Sequence, residues 1–297
     1  MHQWELITDP REFAERAAPL LRAQPVVSTI LATTVARKIR AVERGEELDP
    51  RDWWLLVNDG SEVVGAGMAQ PPDETRRLFL LDLPSDIITG LAEHLARRGD
   101  RIDWVNGARP TVDGFARAWQ QCTPTRATLG VHTRLFELDT LVPPPVAPGK
   151  LREPAPSEHA LLADWLADFR AEAELQAGRV PRPDPLQQSE EAAVADVAER
   201  VADHRLWVWD DGGQPVHLTG FQPASFGVAR IGPVYTPPQY RGHGYAGSAV
   251  AEVSRRLQTG ARVCLFTDQA NPVSNALYER LGYRRVVDMA NFTVAPL

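Results

Sequence analysis

Cysteine and lysine are nearly missing from this chain. Two cysteines, Cys122 and Cys264, stand far apart in 297 residues, too few for a disulfide framework or a thiolate metal site, so both read as reduced, buried thiols. Of the 32 basic residues only Lys38 and Lys150 are lysines, and 39 acids leave a formal charge of -7. The arginines are interleaved with acids. That pattern describes a solvated surface and excludes nucleic-acid binding, which needs cations clustered on one face. No apolar run approaches the roughly 18 residues of a membrane span, and the first residues lack the basic start and apolar core of an export signal. A cytoplasmic protein with no membrane partner and no metal is the expectation.

What is present is an ordinary globular composition, 43% hydrophobic and 24% charged, in a length that suits two domains. Prolines gather in 141–149 (LVPPPVAPG). Proline fixes φ and donates no hydrogen bond, so this stretch holds neither a helix nor the centre of a sheet. It divides the chain into a first domain 1–140, a linker 141–150 and a second domain 151–297. In the first half helices are expected after Pro10 and over 26–42, then strands at 53–58, 62–69 and 78–81, a helix over 84–97, a strand at 102–105, a helix over 111–121 and a strand at 128–138. The second half starts with a helix capped by Ser157, its apolar face made by Leu161, Leu162, Trp165, Leu166 and Phe169. Another helix follows Ser189. Strands fit 206–209, 216–223 and 228–235, a helix fits 245–257, and a strand, a helix and a strand fit 263–267, 273–281 and 284–292. Both halves run through α and β elements in one order, which points to duplication.

The sharpest local feature is Tyr240-Arg241-Gly242-His243-Gly244-Tyr245-Ala246-Gly247, between a strand and an amphipathic helix. Without Cβ atoms the backbone N–H groups can converge, and the helix start adds partial positive charge, so the turn suits a diphosphate. Gly242, Gly244 and Gly247 also satisfy the dinucleotide pattern of an NAD(P)-binding oxidoreductase, with Asp268 near the place of a ribose-binding acid. Against that reading, Thr236 to Arg241, with two prolines, separates the strand from the first glycine, and too little chain follows Asp268 to finish such a domain.

These residues resemble the GNAT superfamily of N-acetyltransferases. Its Gln/Arg-x-x-Gly-x-Gly/Ala loop is matched by Arg241, Gly244 and Ala246. Upstream, Ile231 to Pro238 is similar to the family's fourth strand and its splayed end. Downstream, Leu265 to Pro272 and then Asn275 to Tyr283, with N-x6-Y and L-G-Y spacings, resemble its fifth strand and the helix that follows. The resemblance implies an α+β fold of two tandem GNAT-like domains, each a mixed, mostly antiparallel twisted sheet flanked by helices, with acetyl-CoA as cofactor. It assigns the pantetheine arm to the backbone of Val234, Tyr235 and Thr236, and the pyrophosphate to Arg241, Gly242, His243, Gly244, Tyr245, Ala246 and Gly247. Asn271 would contact the pantetheine region, and Tyr278 would protonate the departing thiolate.

The implied reaction is direct attack by a primary amine, of a small molecule or a peptide, in a ternary complex. An amine with a pKa near 10 is free in only about one molecule in 10³ at neutral pH, so a base is required. Glu172 and Glu174, late in the first helix of the second half, face the acceptor cleft in this layout; Asp268 and His217 are weaker candidates, and Glu172 is taken as the base. The other reading of the same residues is a non-catalytic acyl-CoA-binding or regulatory module. In the first half Asp82, Pro84 and Asp86 stand where the glycine turn should be, and Ala116 stands where Tyr278 should be. That half resembles a degenerate transferase domain serving as a wall of the acceptor cleft or a homodimer face. Trp53, Trp54, Trp104 and Trp119 read as its core.

Overall fold

The computed structural model describes residues 2–70, 76–176 and 189–297. The stretch 176–188, rich in proline and arginine and expected to help set acceptor specificity, lies from 177 on outside the described residues. Two repeats of one element order follow each other. The first is β1 (Gln3–Ile7), α1 (Pro10–Ala23), α2 (Thr29–Glu43), β2 (Trp53–Asp59), β3 (Glu62–Gln70), β4 (Arg76–Leu80), α3 (Ser85–Arg97), β5 (Ile102–Ala108), α4 (Thr111–Cys122) and β6 (Thr125–Leu138). The second is β7 (Lys150–Arg152), α5 (His159–Gln176), α6 (Glu190–Ala202), β8 (Leu206–Asp211), β9 (Gln214–Ser225), β10 (Val228–Tyr235), α7 (Tyr245–Leu257), β11 (Arg262–Asp268), α8 (Pro272–Arg280) and β12 (Tyr283–Pro296).

The compact units do not follow the linear order of the repeats. One comprises Met1–Arg134 with Val287–Leu297, and the other Leu135–Val286. In the first unit the strands run β1-β2-β3-β4-β5, and β12 lies beside β5, with Met289 opposite Ala108 and Thr293 opposite Trp104. In the second the order is β7-β8-β9-β10-β11, and the end of β6 lies beside β11. Each unit has its own core. The first gathers Leu55, Val57, Leu80, Leu91, Val105, Phe115 and Trp119 from sheet and helices. The second has a cluster under α5 and α6 (Leu162, Leu166, Val197, Leu206, Leu218) and another under α7 and α8 (Ile231, Val250, Val253, Leu265, Tyr278).

Several expectations change. Trp104 is half-buried, with the Arg77 guanidinium 5.5 Å from its ring centroid, whereas Trp53, Trp54 and Trp119 are core residues. Leu161 is exposed, one position off the buried stripe of α5. Cys122 is exposed because it ends α4; Cys264 is buried in β11. Ser157 does not cap α5, since it sits inside a 3-10 turn, Pro156–Glu158, where the Glu158 carboxylate accepts from the Ala155 N–H at 2.7 Å. Ser189, after which a helix was expected, caps α6 by accepting from the Ala192 N–H at 3.2 Å.

The proline stretch belongs to the second unit and is docked there along its length. The Val142 N–H donates to the Leu281 carbonyl, buried Ala147 donates to Ser248 Oγ at 2.9 Å, and Trp209 Nε1 donates to the Pro148 carbonyl at 2.7 Å. Where this strap leaves β6 it meets the glycine of the L-G-Y spacing. Gly282 has φ +93, and a Cβ there would run into the Thr140 carbonyl oxygen. Backbone conformation and backbone contact both demand glycine. Gly282→Ala is expected to cost at least about 2 kcal/mol of stability, read as a lower urea midpoint at unchanged m-value. An unchanged midpoint would mean that the strap does not run against Gly282.

Candidate functional site

The site of the second unit starts from an interruption in pairing. β10 and β11 are parallel and paired from Val228 opposite Arg262 to Ile231 opposite Leu265, and there the ladder ends. β10 continues to Tyr235 and β11 to Asp268. On its other side β10 pairs with β9, with an irregularity between Ile231 and Val234, and this is where Gly232 and Pro233, joined by a cis peptide bond, lie. Pro233 has no N–H to offer a ladder, and a bulge bends the strand that contains it. The ends of β10 and β11 are thereby left unpaired with each other, with Val234 and Tyr235 on one side.

The glycine turn follows at once. A 3-10 turn, Pro238–Tyr240, leads to Arg241; Gly242 has φ +83, and Gly244, φ +81, is the N-cap residue of α7. Gly244 supplies no side-chain cap, no acid lies in the first turn of α7, and Ser248 is the first amide to bond back, to the Gly244 carbonyl at 3.1 Å. The amides of Tyr245, Ala246 and Gly247 therefore point out of an uncapped helix start that favours negative charge. The mouth is open. A Cβ on Gly242 would meet nothing within 4 Å, and one on Gly244 would find only Ala147, at 3.8 Å. Gly247 differs, because its absent side chain lets Leu277 of α8 and Pro144 of the strap approach, at 3.3 and 3.7 Å from where a Cβ would be. His243 stacks on Tyr245, with ring centroids 5.5 Å apart, and the Tyr245 hydroxyl donates to Asp211 at 2.5 Å.

Arg241 turns toward α5. Its Nε donates to the Thr236 carbonyl at 2.9 Å and its Nη2 to both carboxylate oxygens of Glu172, at 2.8 and 2.6 Å. The Tyr235 hydroxyl donates to the same carboxylate at 3.1 Å. Burial, then the Glu172 charge and hydrogen bond, push the Tyr235 phenol up to about 12.

On α8, Tyr278 lies with its ring against Phe136 and Tyr283, at centroid distances of 6.3 and 5.9 Å, in the cluster that also holds Ile231 and Leu265. These last two are the residues at which the ladder stops. Burial pushes the Tyr278 phenol far above its ordinary value. Asn271 caps α8, its side chain accepting from the Ser274 N–H at 3.0 Å. Sequence reasoning missed Asn275, whose side-chain N–H groups donate to the Asp268 and Asn271 carbonyls at 2.8 and 2.7 Å while its buried Oδ1 has no partner among the described residues. Only its place one turn after Asn271 signalled it.

The remaining sequence candidates are elsewhere engaged. Asp268 closes a turn by accepting from the Ala270 N–H at 2.8 Å. His217 is fully buried between Thr236 Oγ1 at 2.7 Å and Thr219 Oγ1 at 2.6 Å, and burial lowers its pKa to about 3. A neutral imidazole fits both hydroxyls, accepting from one and donating to the other.

The first unit lacks the interruption. Its corresponding strands, β4 and β5, stay paired up to Leu80 opposite Gly107, and a Cβ on Gly107 would strike the Leu80 carbonyl oxygen. Asp86 sits in the first turn of α3, and Ala116 is buried in α4.

Residues 162–283 match the family model described as the acetyltransferase (GNAT) family, a segment that contains Glu172, the glycine turn, Asn271 and Tyr278. No curated protein sequence matches the chain significantly. Among solved structures it is similar to a Drosophila protein (TM-score 0.65, 13% identity, 99% of this chain and 98% of that one). It is also similar to a GCN5-related N-acetyltransferase from Sphaerobacter thermophilus (0.59, 18%, 99% and 95%). A third similar structure is the tandem GNAT protein from the clavulanic acid biosynthesis pathway, solved without AcCoA (0.56, 15%, 99% and 98%). At such identities these likenesses speak for the fold, and they do so over the whole chain. Among the described residues no helix is long and apolar enough to cross a membrane.

Proposed function

We propose, from the premise that residues 162–283 are a GNAT acetyltransferase domain, that the second unit moves an acetyl group from acetyl-CoA to the primary amine of a small-molecule or peptide acceptor. The amine attacks directly, with donor and acceptor bound together. The observation that carries this reading is the ladder broken after Ile231 and Leu265 beside an uncapped glycine turn, features absent from the corresponding strands and helix of the first unit. The first unit is accordingly proposed as non-catalytic.

The residues suit the cofactor. The open space at Gly242 and Gly244, with the amides of 245–247 aimed outward, supports a seat for a diphosphate there. Backbone groups of Val234, Tyr235 and Thr236 are proposed to take the pantetheine arm in place of a strand, with Asn271 and the orphaned Oδ1 of Asn275 bonding its amides. Acetyl-CoA supplies a thioester already activated, so positioning and carbonyl polarisation are the main demands on the protein. Tyr278 is assigned as the acid at the leaving sulfur; a phenol is protonated at neutral pH, as a donor must be, and burial pushes it further up. Asp168, on α5, lends negative potential near Tyr235, which favours approach of a cationic amine.

Calorimetry on the full chain tests the reading. CoA is expected to bind, a nicotinamide dinucleotide is not, and Gly242→Asp should weaken CoA at least about tenfold by putting an anion in the seat. Asp is among the side chains that tolerate a positive φ, and the site is open, so the variant should fold. No heat with CoA, or equal affinity in the variant, would overturn the proposal.

A further inference from the structure

Glu172 has the chemistry of a base, yet its position fits a different task. One carboxylate takes Nη2 of Arg241 across both its oxygens and the hydroxyl of Tyr235. It sits on α5, 69 residues before Arg241 and 63 before Tyr235. The Arg241 guanidinium also spans back to the Thr236 carbonyl and lies 5.9 Å from the Tyr235 ring centroid. Four points of the site are thus tied through one group: the acceptor-side helix, the end of β10, the loop after it, and the first residue of the glycine turn. Nε and Nη2 of Arg241 are thus held by Thr236 and Glu172, which fixes the guanidinium beside the glycine turn.

We infer that Glu172 is a positioning residue, a pin that fixes Arg241 and so couples the acceptor helix to the cofactor turn, and that it is not the base. The inference rests on the acetyl-CoA reading and deepens it. A group on α5 then governs the grip on a cofactor whose seat α5 does not form, and by linkage the cofactor stiffens the helix that flanks the acceptor. The carboxylate is already engaged by a guanidinium nitrogen and a phenol, which is poor preparation for taking a proton from an amine.

Glu172→Gln keeps the shape and one acceptor oxygen but loses the charge that holds the fork. The pin predicts that acetyl-CoA affinity, measured by calorimetry on the full chain, falls about five- to tenfold. The acidic limb of the kcat–pH profile should keep its position, and kcat itself should drop less than about fivefold. Arg241→Gln should have a similar effect on affinity, and the double variant should be little worse than either single one, because both remove the same link. Arg241→Lys, which cannot supply the fork, should not restore affinity. Two results overturn the inference: a kcat loss of about a hundredfold with the acidic limb gone and affinity intact, which marks a base, or strictly additive single effects. The acetyl-CoA reading fails separately, if the unsubstituted chain gives no heat with CoA. Equal thermal midpoints of wild type and variants are required; if Glu172→Gln melts early, Glu172→Ala takes its place in the cycle, and Glu172→Asp, which keeps the charge, should recover most of the affinity.

Discussion

Tyr278→Phe is expected to lower kcat by about 10²- to 10³-fold while acetyl-CoA affinity stays within about twofold, because a positioned general acid is worth that much and its removal changes no shape. The ring keeps its contacts with Phe136 and Tyr283 in the cluster of Ile231 and Leu265, so the fold should not notice the missing oxygen. The departing thiolate would notice it, since the phenol shares a cluster with Ile231 and Leu265, where the ladder ends. Steady-state kinetics beside calorimetry separates the alternatives. Undiminished turnover would reduce Tyr278 to a core aromatic. Binding of CoA by the unsubstituted chain, with no turnover of any amine offered, would favour the binding-module reading over the enzyme.

The second large effect is on stability in acid. In the unfolded chain the imidazole of His217 titrates near 6.5, whereas in the folded chain burial delays protonation to about pH 3. Between those values the unfolded chain binds a proton that the folded chain refuses. Stability from this group is therefore complete above about pH 6.5 and is lost as pH falls toward 3, at up to about 1.4 kcal/mol per pH unit. Urea unfolding at pH 7, 5.5 and 4.5 should show the loss, and His217→Gln, whose carboxamide can still bond Thr219 and Thr236, should flatten it. Carboxylates held low by arginines, such as Asp49 near 2 beside Arg51, lose their stabilisation at lower pH and are common to both proteins. Parallel profiles would mean that His217 is not held neutral. The effect reaches function, because Thr236, the hydroxyl partner of His217, also accepts from Arg241 through its carbonyl.

How much of this was legible in the residues depends on the range of each interaction. The helix 245–257 and the strand 228–235 match the sequence reading to the residue, since their apolar spacing and bounding glycines and prolines act within a few positions. The short strands β1 and β7 were missed. Five and three residues at a sheet edge make no periodic signal, and only a partner strand defines them. The glycine turn and the Asn271–Tyr278 spacing were readable because they are contiguous. The resemblance they carry agrees with the family match over 162–283.

The sequence alone determined the two repeats, the glycine turn at the start of the helix 245–257, and the absence of a glycine counterpart near Asp82 to Asp86, since all of these are encoded by neighbours in the chain. Tertiary structure alone decided that β12 lies beside β5 and β6 beside β11, that the prolines form a docked strap, and that Glu172 holds Arg241. Any strand offers the same backbone donors and acceptors to an open edge, and any carboxylate offers the same charge to a guanidinium. Which of them meet is settled by the burial of the whole core, a sum over distant residues that no local pattern contains.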